Sequence, residues 1–344
     1  MKTSSQGLLD VRHNTHLRWL VCPVYAVLLW AGGCSSHPRF NVAVIPRTDG
    51  IMPWEPAHTG AEAASDRTGV FVYWNAPPRE DDVEAQITLV DRVVLDRYQG
   101  LVLAPDQSLA LITPVRRALA HGIPTVIIGS PLPIAPGGNL SYILNDDAAG
   151  GRMGADRVGR MLNGHGTIAI LGINSDVAGI MIRARALEAH LAGHYPGVHI
   201  VDKRMGSFNV PHEQQVAEDT LRNNPKLDAI ISLMSTTTDG VMAALENAPG
   251  KGEVKVIGFD SADTLGNPPF AQRPALDCVI QMDSRSMGEQ GVELIHARLT
   301  GQSVPTLVYL QPKLITRENA NSPEIRRMLS MDFKLGKWRW SNAQ

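Results

Sequence analysis

The sequence predicts an α/β fold of two similar lobes, each a doubly wound parallel sheet, with a ligand cleft between them. Two observations predict this fold class. Short apolar runs alternate with amphipathic stretches at helical spacing, the β-α-β-α order that builds a parallel sheet covered on both faces. That alternation restarts in the second half of the chain, and 344 residues suit two domains better than one.

The chain opens with basic and polar residues (Lys2, Arg12, Arg18), then the apolar stretch "WLVCPVYAVLLW" at 19–30, then "AGGC" ending at Cys34. A bilayer-spanning helix needs about 20 apolar residues, so this stretch is too short to span and suits the apolar core of an export signal. Residues 1–34 are therefore expected to be a signal peptide. The small residues before Cys34 resemble the bacterial lipobox, which implies lipidation of that thiol and a membrane anchor. Plain secretion after cleavage in the same stretch is the alternative. Either reading places the folded part, from about Phe40, outside the cytoplasm.

From Phe40 the apolar runs "NVAVIP" (41–46), "GVFVYW" (69–74), "GLVLAP" (100–105) and "PTVIIG" (124–129) read as strands, being too short for helices and bounded by Pro, Gly or polar residues. Val83, Ile87, Val90, Val94 and Leu95 recur at helical spacing between the second and third. A second set follows: "TIAILGI" (167–173), "HIVDKRM" (199–205), "DAIISLM" (228–234), "VKVIGFD" (254–260) and "LDCVIQM" (276–282). Helical stretches near 177–193, 211–223 and 237–247 separate its first four strands, and the segment "ILNDDAAGGRMGADRVG" (143–159) joins the two units.

Charge and motifs narrow the function classes. A net charge of −2 gives no broad electrostatic footprint for nucleic acid. The three cysteines form no CxxC pair, and the eleven histidines form no HExxH and a single HxxH, His13–His16, inside the expected signal segment, so no metal or cofactor is expected; Cys278 reads as a small core residue. "GGRMG" (150–154) lacks the strand context of a dinucleotide site, and neither a phosphate loop nor a GxSxG elbow is present. An enzyme is not expected.

Ligand groups in open parallel sheets gather beyond the carboxyl ends of the strands. Those positions hold Asp49, Trp54, Asp106 and Ser130 in the first unit, and Arg183, Phe208, Ser235, Asp260 and Gln281 in the second. Aromatic faces cover the C–H face of a sugar ring, while carboxylates and guanidinium groups hold its hydroxyls by charge-assisted hydrogen bonds.

"VKVIGFDSAD", "IRARALEAH", "NDDAAGGRMGADRV" and "VIQMDSRSMGEQGVELI" together resemble the type I periplasmic solute-binding proteins of sugar ABC transporters, the ribose-binding group, from about Phe40 to Pro312. The resemblance implies that Arg183, Phe208, Asp260 and Gln281 bind ligand, with Ser235 where ribose binders often carry Asn. In the first lobe "DGIMPWEP" replaces the family's aromatic loop, leaving Trp54 as its aromatic, and Gly129–Ser130 replaces an Asp-Arg pair. That departure points away from ribose and toward another monosaccharide or a polyol.

The resemblance further implies a first lobe of 40–145 plus 283–308, a second of 146–282 plus 309–320, a tail at 321–344, and hinge crossings near 145, 282 and 308. A monomer delivering its ligand to an ABC transporter permease is the expected role; the alternative is a sensory module for a membrane receptor or kinase. A lactose-repressor-type regulator, which shares the core, needs an N-terminal helix-turn-helix where this chain has its apolar segment.

Plainer readings stand beside each residue. Asp260 could cap a following helix, Arg183 could be a surface residue at a helix start, Phe208 and Trp54 could be packing aromatics, and Gln281 could brace the lobe crossover. A ligand role for Asp260 and Arg183 predicts that Asp260→Ala and Arg183→Ala weaken binding with little loss of folding. The tail interleaves Lys334, Lys337 and Arg339 with Phe333, Trp338 and Trp340, a composition suited to touching a membrane surface or a partner; the plainer readings are packing across a lobe or partial disorder.

Overall fold

The computed structural model describes residues 40–48, 54–247, 253–260 and 273–331, all within one unit that begins at Phe40. The N-terminal segment with Cys34, the loop residue Asp49 and the tail from 332 lie outside the described residues.

Two six-stranded sheets form the framework. The first is built from β1 (Asn41–Ile45), β2 (Phe71–Trp74), β3 (Gly100–Leu103), β4 (Thr125–Gly129), β5 (Leu140–Asn145) and β11 (Leu307–Leu310), in the spatial order β11-β5-β4-β3-β1-β2. All its pairings are parallel. The second holds β6 (His165–Ile173), β7 (Gly197–Met205), β8 (Ala229–Ser232), β9 (Lys255–Phe259), β10 (Leu276–Gln281) and β12 (Lys313–Ile315), in the order β12-β10-β9-β8-β6-β7. Only β12 runs antiparallel there.

β-Branched and leucine-rich runs bury both faces of the central strands, so each sheet needs helices on both sides. On the first sheet, α1 (Trp54–Thr68) and α8 (Ser284–Leu299) cover one face, and α2 (Val83–Leu95) with α3 (Ile112–Ala120) the other. On the second, α4 (Asp147–Met161) and α5 (Ala178–His194) oppose α6 (Val210–Asn223) and α7 (Ser235–Glu246). A last helix, α9 (Pro323–Leu329), buries Ile325 and Met328 in the second lobe's core.

The strands read from sequence all form, but β5, β11 and β12 were not legible there. β11 is a half-exposed edge and β12 has three residues, so neither carries a buried apolar run. The boundary expected at 308 falls inside β11, whose pairing with β5 continues to Leu310 opposite Asn145. The chain therefore passes between the sheets at 145–147, at 281–284 and at 310–313. The "GGRMG" glycines lie on α4, where a Cβ at Gly151 would come within 2.2 Å of the Arg183 carbonyl oxygen on α5. Close approach of two helix backbones requires glycine at this position.

Both sheets share the doubly wound order 2-1-3-4-5, whose direction reverses between the first and third strands of each lobe. The loops after β1 and β3, and those after β6 and β8, therefore face the cleft.

Candidate functional site

The second lobe builds its part of the site around Arg183. This side chain is 5% exposed on α5 and uses four of its five N–H groups within the protein. Nε and Nη2 donate to Asp147 Oδ1 at 3.2 and 2.8 Å, and Nη1 donates to the Leu233 carbonyl at 2.6 Å and to Asp260 Oδ2 at 3.0 Å. Its guanidinium carbon lies 4.3 Å from the centroid of the Phe259 ring, a cation–π contact. Burial works against the guanidinium charge, but Asp260 and Asp147 outweigh it and raise the Arg183 pKa. Burial also pushes the Asp147 carboxyl above the usual carboxylate range, with Arg183 drawing it partly back.

Asp260 follows β9 with φ of 54°, a left-handed conformation that Asp tolerates better than most residues. Its carboxylate divides between two tasks: Oδ2 accepts from Arg183, and Oδ1 accepts from the Met282 amide at 3.0 Å. Met282 lies on the second crossing between sheets, and Asp147 directly follows the first. Asp146 joins the first crossing to the third, donating its amide to Leu310 O at 2.9 Å and accepting from Gln311 Nε2 at 3.1 Å. The polar cluster is thus continuous with the segments that connect the lobes.

The first lobe contributes charge from positions that sequence reasoning passed over. Arg47, just after β1, donates from Nε to Asp106 Oδ1 at 3.3 Å, and its guanidinium lies 4.8 Å from the centroid of the Phe208 ring in the other lobe. Gln86 fixes this corner: its Nε2 donates to Pro46 O and Ala104 O, and its Oε1 accepts from the Asp106 amide. Burial raises the Asp106 pKa to about 6 despite the opposing pull of Arg47. Glu80, after β2, accepts from the Trp54 indole nitrogen at 2.8 Å. The signal for Arg47 and Glu80 was their position after first-lobe strands, but their loops contain no family motif.

Trp54, Ser130, Arg183, Phe208, Ser235 and Asp260 all line one cavity of about 60 Å³. Arg47, Glu80, Asn145 and Asp147 add polar groups to its wall, and Ile180, Met234, Met282 and Met287 add apolar ones. Gln281, expected at the cleft, is fully buried at the end of β10 and does not line the cavity. Side chains alternate along a strand, and Met282 takes the cavity position instead. The helices α5 and α7 both begin at this wall with no side-chain cap, leaving their first N–H groups beside the cavity. The lobes touch around the site: the Ser108 amide donates to Asp176 O at 3.4 Å, and a Cβ at Gly179 would lie 2.7 Å from Ser130 Oγ.

Among the described residues there is no cluster of three or more side chains able to hold a metal ion, and no helix long and apolar enough to cross a membrane. Cys278 is buried, and burial pushes its thiol pKa upward, as suits a core residue. Two doubly wound lobes with a polar and aromatic cavity at their facing switch points define a two-lobed ligand-binding protein.

The chain belongs to the family described as periplasmic binding protein domain, which matches residues 42–303. It is 26% identical over 300 residues to the D-allose-binding periplasmic protein of Escherichia coli (strain K12), covering 85% of this chain and 94% of that one. It is 27% identical over 255 residues to the D-apiose import binding protein of Paraburkholderia graminis, covering 72% of this chain and 78% of the relative. A carbohydrate transporter solute binding protein from Agrobacterium radiobacter, solved in complex with D-arabinose, superposes with a TM-score of 0.78 at 25% identity, over 86% of this chain and 100% of that chain. An ABC transporter solute binding protein from Agrobacterium vitis, bound with α-D-tagatopyranose, shares the fold with a TM-score of 0.78 at 22% identity, over 84% and 99%. The named relatives are binding proteins, in accord with the resemblance read from the sequence.

Proposed function

We propose that this chain is an exported solute-binding protein that closes two lobes around a monosaccharide or polyol and delivers it to an ABC transporter permease. The observation that carries this reading is the juxtaposition in one cavity of the Arg183–Asp147–Asp260 cluster with Trp54 from the first lobe and Phe208 from the second. Carboxylates, a guanidinium and aromatic faces are the groups that hydroxyls and C–H faces of a sugar require. The sugars named for the relatives fit that chemistry.

In this reading the first lobe comprises 40–145 and 283–310, the second 146–282 and 311–320, and the three crossings form the hinge. A ligand that contacts both lobes only when they approach shifts the population toward closure. Ligand binding by Arg183, Phe208, Asp260, Ser235, Trp54 and Ser130 belongs to the same proposal, as do signal cleavage and lipidation at Cys34.

The test is a thermal-shift screen of the purified protein against D-allose, D-apiose, D-arabinose, D-tagatose, other pentoses and hexoses, and polyols. A ligand that binds only the native state stabilises it by about 2.7 kcal/mol at a hundred times its Kd. The reading fails if no sugar or polyol moves the transition. The anchor is checked by the mass of the mature N-terminus from the membrane fraction; release of wild-type protein into the soluble fraction rules it out.

A further inference from the structure

Glu213 lies on α6, outside the cavity, and is fully buried. Its carboxylate carries more hydrogen bonds than packing demands. Oε1 accepts from the Ser207 amide at 2.6 Å and from Ser207 Oγ at 3.1 Å, and sits 3.2 Å from His212 Nδ1. Oε2 accepts from Thr237 Oγ1 at 2.6 Å. Ser207 precedes Phe208, the aromatic wall of the cavity, while Thr237 lies in the first turn of α7, two residues after Ser235. One carboxylate therefore joins the loop bearing Phe208 to the helix start bearing Met234 and Ser235.

The surroundings leave that joint little slack. A Cβ at Gly206 would meet the Gly172 Cα and the Met234 methyl, each at 2.5 Å, and Glu213 Oε2 at 3.0 Å. Thr236 Oγ1 adds a second tie, donating to the Ser207 carbonyl at 3.1 Å. The Phe208 ring packs at the edge of the second lobe's core and faces the Arg47 guanidinium of the other lobe, so its place depends on the loop that carries it. The two Glu213 oxygens, held in the first turn of α6, give these donors one fixed acceptor group.

We propose that Glu213 is a positioning residue for ligand binding, fixing Phe208 against the start of α7 so that the cavity presents its aromatic wall in one place. The ligand arm of the test rests on the sugar-binding reading above; the structural arm does not.

Glu213→Ala removes the shared acceptor, whereas Glu213→Gln keeps a carbonyl oxygen for Ser207 and is expected to restore most of the effect. By calorimetry with whichever of D-allose, D-apiose, D-arabinose and D-tagatose binds wild type most tightly, Glu213→Ala should weaken affinity about tenfold, and Glu213→Gln less than about threefold. In a Phe208→Ala background the same Glu213→Ala change should cost less than about twofold, because its effect runs through the ring. Equal losses in both backgrounds overturn the proposal.

Without any ligand, hydrogen exchange of the 205–209 segment should accelerate in Glu213→Ala while the first lobe and α5 keep their protection. Unchanged exchange at Ser207, or loss of protection throughout the second lobe, also overturns it. If no sugar binds wild type, the functional reading fails while this exchange arm still decides the role of Glu213. Should Glu213→Ala not fold, Thr237→Val breaks one arm of the joint and is read by the same measurements.

Discussion

Replacing Arg183 with methionine tests whether the site cluster is also a structural element. The substitution removes the cation from between Asp147 and Asp260, whose side chains are 4% and 13% exposed, and leaves the Leu233 carbonyl without its guanidinium donor. Removing one partner of a buried ion pair costs about 3–5 kcal/mol, because the remaining charge stays desolvated. At about 2.1 cal/mol/K of unfolding entropy per residue, a chain of this size would lose roughly 4–8 °C in Tm. Against the expectation from sequence that substitution at Arg183 spares folding, its burial and four internal hydrogen bonds predict a loss of stability as well as of the proposed binding.

The pH dependence identifies the cause. Burial holds the Asp147 carboxyl above its ordinary range, and without Arg183 nothing draws it back. An acid whose folded pKa exceeds its unfolded value destabilises the native state fully above the folded pKa and not at all below the unfolded one. The stability deficit of Arg183→Met, measured by urea unfolding, should therefore be largest at pH 8 and shrink toward pH 5. A deficit independent of pH, or loss of sugar binding with wild-type stability, would refute the reasoning. Arg183→Lys keeps the charge and should recover part of the stability but little of the binding, since an ammonium cannot span both carboxylates and the Leu233 carbonyl.

Three further outcomes are expected. Asp106, raised to about 6 by burial, takes up a proton in the folded protein as pH falls from 7 to 4, stabilising it in that window, whereas His58, lowered by burial to about 4, acts oppositely. The quantity to read is thus the wild-type minus Asp106→Asn difference in Tm, which should rise as pH falls; a flat difference contradicts the placement of Asp106. Gly179→Ala puts a methyl within 2.7 Å of Ser130 Oγ and 2.4 Å of Asp147 Oδ2, so it should lower ligand affinity and leave the ligand-saturated protein more open by small-angle scattering. Unaltered affinity and radius of gyration would show that the lobes do not meet there on closure. The Cys278 thiol should resist alkylation in native protein and react in denaturant, as mass spectrometry of the labelled peptide will report; rapid native labelling would place it outside the core.

The sequence by itself determined the fold class, because buried parallel strands demand continuous apolar runs and their helices demand amphipathic spacing, both of which are written locally. It also placed Arg183, Phe208 and Asp260 at the ends of second-lobe elements, where strand order sends side chains into the cleft. Tertiary structure alone decided the rest. Arg47 and Glu80 became wall residues only because β1, β2 and β3 are adjacent in space, an adjacency no local pattern encodes. Met282 rather than Gln281 lines the cavity through the alternation of a single strand end, a one-residue matter that motif matching does not resolve. The asymmetry between the lobes has one physical reason: periodicity records burial, whereas a polar group's partner is fixed by which distant segment folding brings within 3 Å of it.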